Sequence, residues 1–218
     1  MRAVLVASGE ADPADARWLA DANRVVAVDG GTAWLAQVGR RPDLVVGDLD
    51  SADPALIAAL EADGVPIERH PSAKDASDTE LALAGVLATG ADDVVILGAL
   101  AGPRFDHQLA NLMLLADSQL SGVANVRIVR GRTSVRALHA GATLALEGAL
   151  GDMVTLLPVG GDAVGVRTAG LRYPLNAESL SFGRSRGLSN VVAEPPASVS
   201  LEGGSLLVVE TKQEGAEP

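Results

Sequence analysis

The chain of 218 residues is acidic and rich in apolar residues: its formal net charge is −11, 48% of its residues are hydrophobic and 21% are charged. This composition supports a buried core in one or two domains and argues against a mostly disordered protein. The lack of cysteine excludes disulfides and thiolate–metal sites. With no basic cluster in an acidic chain, we expect no nucleic-acid partner.

Neither a membrane segment nor a leader peptide is predicted. No apolar run approaches the roughly 20 residues that span a bilayer. The N-terminal sequence, MRAVLVASGE, starts like a first strand and lacks an apolar leader with a cleavage site. We therefore expect no membrane partner and a cytoplasmic location.

Residues 1–131 alternate short apolar runs with alanine- and leucine-rich stretches of helical spacing. Continuous apolar strands separated by helices indicate a parallel sheet covered on both faces. This region is predicted to be a doubly wound, mostly parallel α/β sheet domain. The predicted strands are Ala3–Ala7, Val25–Val28, Leu44–Val46, Ile67–His70, Val94–Leu97 and Val126–Val129, and the predicted helices include Pro54–Glu61, Thr79–Ala88 and Gln108–Ala116.

The pattern changes after Gly131, and we place a domain boundary between 1–131 and 132–218. Closely spaced strands separated by Gly, Pro or Asn turns follow, and no helix is predicted among them. This pattern is typical of an antiparallel sandwich or barrel, and we predict a β-sandwich. The predicted strands are Ser134–His139, Thr143–Leu146, Met153–Leu157, Gly165–Thr168, Leu171–Tyr173, Glu178–Phe182 and Leu206–Thr211.

Carboxylates follow two predicted strands of the first domain, where open parallel sheets bind their ligands. The segments are Asp29-Gly30-Gly31 after the run at 25–28, and Gly47-Asp48-Leu49-Asp50-Ser51 after the run at 44–46. Asp and Gly are also common turn and cap residues, which would explain Asp29 alone. Two aspartates spaced i, i+2 repel each other unless a cation is shared. Asp48 and Asp50 therefore favour a functional interpretation.

A third acidic segment, KDASDTE at 74–80, comes just before a predicted helix. Ser77 or Asp78 could be the N-cap of that helix, but Asp78 also supplies a third carboxylate. Mg²⁺ takes oxygen ligands, typically one or two carboxylates with phosphate oxygens and waters. The composition suits that metal, whereas three histidines and no cysteine make an ordinary zinc site poorly supported.

The fourth element is the segment GPRFDHQLAN at 102–111, which opens a helix. The guanidinium of Arg104 in a Gly/Pro loop is suited to bidentate phosphate binding. Asp106 could be an N-cap and His107 a surface residue. The chain has no Walker-A motif, nucleophile elbow or GxGxxG fingerprint. Nucleotide binding would therefore depend on carboxylate-bound Mg²⁺, glycine-rich loop amides and Arg104.

In order, the segments DGG, GDLDS, KDASD, GPRFDHxxAN and the late GLSN at 187–190 resemble the thiamine pyrophosphokinase family. The usual forms there are DGG, GDxDS, KDxTD, GGRxDHxxAN and SN, and the resemblance covers nearly the whole chain. Ser77 replaces a threonine and keeps its hydroxyl, and Pro103 replaces a glycine and stiffens the loop. Some relatives place a tryptophan in the last strands against thiamine. This tail has no aromatic residue, so apolar residues would have to line the ring pocket.

The resemblance implies an enzyme that transfers the pyrophosphoryl group of ATP to the hydroxyl of thiamine, giving thiamine diphosphate and AMP. It also implies a homodimer, with each site at the junction of domains and subunits. Arg104 and Lys74 would assist at the phosphates, and Asp78 would take the alcohol proton. The implied metal ligands are Asp48, Asp50 and Asp78, with Asp29 acting through water. The implied ATP contacts are Asp29, Gly30, Gly31, Asp50, Ser51, Arg104, Asp106 and His107, and the implied thiamine contacts are Ser189, Asn190 and Asn111.

Two alternative functions, and a third interpretation without a nucleotide site, stay open. One is a pyrophosphokinase of a pterin alcohol with related architecture, against which the β domain and its Ser189-Asn190 argue. The other is a non-catalytic thiamine or nucleotide sensor, against which the intact carboxylates argue. In the simplest interpretation, the Asp-rich loops are all helix caps and the chain does not bind Mg-ATP.

Overall fold

The computed structural model describes residues 1–122 and 125–213, which form two compact units. The first unit consists of Met1–Asn111 with the strand that leads to Gly131, and the second consists of Leu112–Gly122 and the chain from Arg132 onward. The segment Leu112–Gly122 lies in sequence between the two stretches of the first unit and groups with the second.

The first unit is built on a parallel sheet with the strand order β6-β5-β1-β2-β3-β4, and each adjacent pair in this order is parallel. The strand order reverses between β1 and β5, which is where open α/β sheets bind ligands. The six strands predicted for this region are present. They are β1 (Arg2–Val6), β2 (Arg24–Val28), β3 (Leu44–Gly47), β4 (Ile67–Arg69), β5 (Asp93–Leu97) and β6 (Asn125–Arg130).

Helices cover this sheet because its strands are apolar on both faces. Leu35 of α1 and Ile57 of α2 share one buried cluster with Val4 and Val6 of β1, and α3 packs against β1, β2 and β3. The sequence did not predict α1, whose seven residues, GTAWLAQ, begin with two weak helix formers. No described helix is long and apolar enough to cross a bilayer. The α-helices are α1 (Gly31–Gln37), α2 (Pro54–Ala62), α3 (Asp78–Ala88) and α4 (Phe105–Leu115), and short 3₁₀ helices span Pro13–Leu19 and Ser118–Leu120.

The second unit is a β-sandwich of two antiparallel sheets with the orders β12-β9-β14-β7 and β11-β10-β13-β8. Leu156 and Leu206 from the first of these sheets and Val166 and Val199 from the second belong to one buried cluster. The two inner faces therefore form a common core. The strands are β7 (Thr133–His139), β8 (Thr143–Ala145), β9 (Met153–Pro158), β10 (Ala163–Ala169), β11 (Asn176–Leu180), β12 (Asn190–Val191), β13 (Ser198–Ser200) and β14 (Ser205–Thr211).

One strand predicted for this unit is wrong. The segment Leu171–Tyr173 is not a strand, and only Leu171 pairs, in an isolated bridge with Val192. The main chain of Tyr173 is instead bonded to the side chain of Asn190. Strands β12 and β13 are additions to the predicted set.

Candidate active site

Asp29 is the first residue after β2 and joins two loops at the carboxyl edge of the parallel sheet. Its backbone adopts a φ of +46°, which is uncommon outside glycine. Its N–H donates to the Val46 carbonyl at 3.0 Å, and its Oδ1 accepts a hydrogen bond from the Leu49 N–H at 3.1 Å. The side chain is thereby held in place, and the residue is only 9% exposed.

Three carboxylates meet beside this loop. Asp29, Asp48 and Asp78 each offer an oxygen, and the three oxygens lie within 4.8 Å of one another. Asp48 follows β3, and Asp78 begins α3, whose N-cap Ser77 accepts a hydrogen bond from the Glu80 N–H at 3.1 Å. Carboxylates this close repel each other unless a cation is shared.

The electrostatics of the cluster differ between its members. Burial, with the charges of Asp78 and Asp48, raises the pKa of Asp29 to about 6, although its bond from Leu49 acts in the opposite direction. The pKa of Asp48 is lowered by the hydrogen bond from the Asp50 N–H and by others, including one from Ser72. Asp48 therefore holds its negative charge more firmly than Asp29 does.

Lys74 adds a positive charge to the three carboxylates. Its Nζ lies 3.0 Å from Asp78 Oδ1 and 3.9 Å from Asp48 Oδ2, and its side chain is 14% exposed. Burial disfavours the charged ammonium, but Asp78, Asp48 and Asp29 more than offset this and raise the pKa of Lys74. The lysine is therefore charged at neutral pH.

The residues of the cluster fit a divalent cation that prefers oxygen ligands. Asp78 Oδ1 is buried and has no hydrogen bond of ordinary geometry within the part of the chain that the structure describes; its partner is the Lys74 ammonium at 3.0 Å. A carboxylate oxygen held by a single ammonium can take a divalent cation in its place. An oxygen-only donor set is the one that Mg²⁺ takes in proteins.

The neighbouring residues of the two loops position the cluster. Asp50 is exposed, and its carboxylate is not among the three that meet; its N–H instead donates to Asp48 Oδ1 at 3.1 Å. The Gly30 N–H donates to Ser8 Oγ at 3.0 Å and to Ser51 Oγ at 3.3 Å. A Cβ at Gly31 would lie 1.9 Å from the Val6 carbonyl oxygen, so α1 can begin this close to β1 only with glycine.

Four predicted site residues lie in the loop before α4 or on the helix itself. The guanidinium of Arg104 binds the carboxylate of Asp106 through two hydrogen bonds of 3.0 and 2.6 Å, and both side chains are exposed. This pairing lowers the pKa of Asp106 to about 2. His107 is exposed, whereas Asn111 is buried and its Nδ2 donates to the Ala99 carbonyl at 3.2 Å. Arg104 thus has the exposure needed to contact a ligand, and Asn111 is engaged with the main chain.

Ser189 and Asn190 have different environments in the second unit. Ser189 is exposed with a φ of +57°, and its N–H donates to Thr155 Oγ1 at 3.0 Å. Asn190 is 7% exposed; its Oδ1 accepts from the Tyr173 N–H at 3.0 Å and its Nδ2 donates to the Tyr173 carbonyl at 2.7 Å. The amide of Asn190 therefore has a structural role, and a contact with thiamine stays a prediction.

Sequence reasoning missed two serines that support the cluster. Ser8 Oγ accepts the Gly30 N–H and donates to the Val28 carbonyl at 3.2 Å, and Ser72 hydrogen bonds to Asp48. The position of Ser8 directly after the first apolar run, comparable with that of Asp29 after the second, was an available signal. Ser72 lies two residues before Lys74, and nothing in its local sequence distinguishes it.

Comparisons with known proteins agree with the fold. Residues 16–126 match the family model described as thiamin pyrophosphokinase, catalytic domain, and residues 143–206 match thiamin pyrophosphokinase, vitamin B1 binding domain. A thiamine pyrophosphokinase of Bacillus subtilis (strain 168) is 24% identical over 84% of this chain and 85% of its own length. Thiamine pyrophosphokinase 3 of Oryza sativa subsp. japonica is 27% identical over 77% of this chain and 65% of its own length.

Solved structures show the same fold at low sequence identity. The crystal structure of a thiamine pyrophosphokinase from Bacillus subtilis matches with a TM-score of 0.86 and 23% identity, covering 98% of this chain and 100% of that one. A solved structure of thiamin pyrophosphokinase from Candida albicans matches with a TM-score of 0.82 and 16% identity, covering 96% of this chain and 88% of that one.

The fold and the site together define a class of two-unit protein, in which an α/β unit with a cluster of three carboxylates at its sheet edge is combined with a β-sandwich. Within this class, the chain belongs to the thiamin pyrophosphokinase family. Its membership of this family identifies the chain as an enzyme of the thiamine diphosphokinase type. Neither a pterin-alcohol kinase nor a non-catalytic sensor is favoured by these matches.

Proposed function

We propose that this enzyme transfers the pyrophosphoryl group of ATP to the hydroxyl of thiamine, with Mg²⁺ as its metal. The observation that carries the proposal is the meeting of Asp29, Asp48 and Asp78 at the carboxyl edge of the parallel sheet, in a chain of the thiamin pyrophosphokinase family. These three carboxylates would hold the ion, and Asp50 stays a further predicted ligand. When bound, Mg²⁺ neutralises negative charge on the phosphate oxygens.

The nucleotide would lie over the same edge of the sheet. The loops after β1 and β5 approach closely, since the Gly9 N–H donates to the Gly98 carbonyl at 2.9 Å. A Cβ at Gly9 would lie 2.2 Å from the Ala101 carbonyl oxygen. This close approach occurs at the reversal of strand order, where nucleotides bind in open α/β sheets. Gly30, Gly31, Ser51 and Asp106 are the other ATP contacts that we propose, together with His107.

The chain's own residues would act mainly by positioning the reactants. The thiamine hydroxyl oxygen forms a bond to the β-phosphorus of ATP, the bond from that phosphorus to the α–β bridging oxygen breaks, and AMP leaves with that oxygen. Arg104 and Lys74 would bind phosphate oxygens, and Asp78 stays the predicted acceptor of the hydroxyl proton. A loose transition state depends more on alignment and charge neutralisation than on a strong base.

We propose that residues 1–131 bind ATP and Mg²⁺, and that the β-sandwich of 132–218 binds thiamine. The match of residues 143–206 to a vitamin B1 binding domain supports this division. Ser189, Asn190 and Asn111 are the proposed thiamine contacts. A homodimer and a cytoplasmic location belong to the same proposal, because the family resemblance implies a shared site and the reaction consumes ATP. Light scattering on the purified protein tests the dimer.

The reaction is tested by measuring AMP release from ATP and Mg²⁺ with and without thiamine. We expect AMP and thiamine diphosphate in equal amounts, and no AMP when thiamine is omitted. Asp48→Asn should lower the rate about 100-fold or more, whereas Asp75→Asn, an exposed neighbour in the same acidic segment, should leave it unchanged. A D48N enzyme with a normal rate at saturating Mg²⁺ would refute the metal assignment, and no thiamine-dependent AMP would refute the reaction. Asp50→Asn measured in parallel tests whether Asp50 is also a ligand.

A further inference from the structure

Lys74 occupies the position of a cation within the acidic cluster. Its ammonium lies 3.0 Å from Asp78 Oδ1 and 3.9 Å from Asp48 Oδ2, and it donates a hydrogen bond to the Pro71 carbonyl at 3.1 Å. The side chains of Lys74, Asp48 and Asp78 are nearly buried, with exposures of 13 or 14%. A single ammonium therefore offsets part of the repulsion among three carboxylates.

The Lys74 ammonium neutralises only part of the negative charge of the three carboxylates. It is the partner of Asp78 Oδ1, and that buried oxygen has no hydrogen bond of ordinary geometry within the described chain. Asp29 adds a third carboxylate that Lys74 does not contact within ion-pair distance in the described structure. Three carboxylates and one monovalent charge leave the cluster with excess negative charge, which favours a divalent ion.

Lys74 and a divalent ion compete for the same oxygens. An ion held by Asp78 Oδ1 would share that oxygen with the ammonium, which lies 3.0 Å from it. Two cations this close in a nearly buried site repel each other strongly. The four-carbon stem of lysine is flexible and lets the ammonium move without a change in the backbone.

We propose that Lys74 is a stand-in cation that holds the carboxylates together when the metal is absent and is displaced when Mg²⁺ binds. The displaced ammonium is then free to bind the phosphates of the nucleotide that accompanies the metal, so this inference rests on the proposed function. The coupling is reciprocal: Lys74 weakens metal binding by the same factor by which the metal weakens the Lys74–Asp78 pair.

Calorimetry of Mg²⁺ binding without nucleotide directly tests the exchange of the Lys74 ammonium for Mg²⁺. We expect Lys74→Met to bind Mg²⁺ at least about fivefold more tightly than the wild-type protein, because the competing charge is gone and the stem is retained. Lys212→Met is the matched control, since Lys212 is the only other lysine in the chain, and its affinity should equal that of the wild type. Mn²⁺ binding followed by electron paramagnetic resonance provides a second readout for weak sites. Turnover of K74M should fall, because the charge that binds the phosphates is lost.

The outcomes separate this inference from the proposed function. Equal or weaker Mg²⁺ affinity in K74M would overturn the exchange and leave the metal site intact. Absence of Mg²⁺ and Mn²⁺ binding in every protein, with or without ATP, would overturn the metal site and the exchange together.

A measurement on the wild-type protein covers the case in which K74M does not fold without metal. With two lysines in the sequence, isotope-labelled lysine gives two side-chain signals by NMR. Mg²⁺ alone should shift the Lys74 signal and leave that of Lys212 in place. A Lys74 signal that stays fixed while Mg²⁺ saturates the site would overturn the exchange.

Discussion

Asp29 Oδ1 occupies the space that a side chain at Gly47 would need: a Cβ built on Gly47 would lie 1.7 Å from that oxygen. The backbone of Gly47 has a φ of +148°, a region that is almost exclusive to glycine. The last residue of β3 therefore leaves room for the carboxylate that follows β2. Because Asp29 belongs to the proposed metal site, a side chain at Gly47 in β3 would displace one of the proposed metal ligands.

Gly47→Ala should damage both stability and metal binding. The clash with Asp29 and the strained φ should cost at least about 2 kcal/mol of unfolding free energy, and a displaced Asp29 should weaken Mg²⁺ binding. Gly64→Ala is the control, because Gly64 also has a positive φ, +79°, but a Cβ there meets nothing within 4 Å. Gly64→Ala should lower the unfolding free energy by about 1 kcal/mol through backbone strain and leave the Mg²⁺ affinity unchanged. Urea unfolding and calorimetry on both variants make the comparison, and equal effects would contradict a role for the Asp29 contact.

The raised pKa of Asp29 predicts that this residue lowers the stability of the metal-free protein in a pH-dependent way. In the folded state this carboxyl holds its proton up to about pH 6, whereas its ordinary pKa is 3.8. Between these values the folded state binds more protons than the unfolded state, so the contribution of Asp29 to stability falls as the pH rises through the window and stays low above it. Asp29→Asn keeps an acceptor for the Leu49 N–H and removes the charge.

With EDTA at pH 7.5, D29N should therefore be more stable than the wild type by up to about 3 kcal/mol. The advantage should disappear toward pH 4, where Asp29 is protonated in the folded protein. Saturating Mg²⁺ should reverse the order, because only the wild type has the full ligand set. Urea unfolding across this pH range is the measurement, and a difference that does not depend on pH would rule out Asp29 as its source.

The sequence could predict the edge of the sheet where the carboxylates lie, but not which of them meet. Spacing i, i+2 suggested that Asp48 and Asp50 act together. Leu49 between them has a φ of +65°, which an extended or helical segment would not have, and Asp50 is left exposed while Asp48 is nearly buried. Asp29 joins the cluster through a bond to Leu49, a contact between segments that no local pattern records.

In the second unit, too, local sequence predicted most of the strands but not all of the local structure. Closely spaced apolar runs separated by Gly, Pro or Asn turns predicted its strands, whose inner faces are buried in the sandwich. At Leu171–Tyr173 the local pattern suggested a strand, but the Asn190 amide takes both the N–H and the carbonyl of Tyr173. A side chain 17 residues away replaces the strand partner, so local sequence alone could not predict the outcome.

Arg104→Gln should reduce activity without reducing stability. The side chain of Arg104 is 65% exposed and contacts Asp106, itself 64% exposed, so the pair contributes little to folding. If Arg104 binds phosphate oxygens, its removal should lower kcat/KM for ATP about 100-fold, with an unchanged midpoint of thermal unfolding. Arg104→Lys keeps the charge but not the planar fork, and should give an intermediate rate. An R104Q enzyme with wild-type kcat/KM would exclude Arg104 from the site.

Asn190→Ala should reduce stability whether or not Asn190 contacts thiamine. Asn190 is buried, and its loss leaves the N–H and the carbonyl of Tyr173 without their partners, which should cost about 1–3 kcal/mol of unfolding free energy. Ser189→Ala is the paired control, because the side chain of Ser189 is exposed and its bond to Thr155 uses the main-chain N–H; its unfolding midpoint should match the wild type. If Ser189 contacts thiamine, S189A should raise KM for thiamine without affecting KM for ATP. A wild-type unfolding midpoint in N190A would show that the bonds to Tyr173 do not stabilise the sandwich.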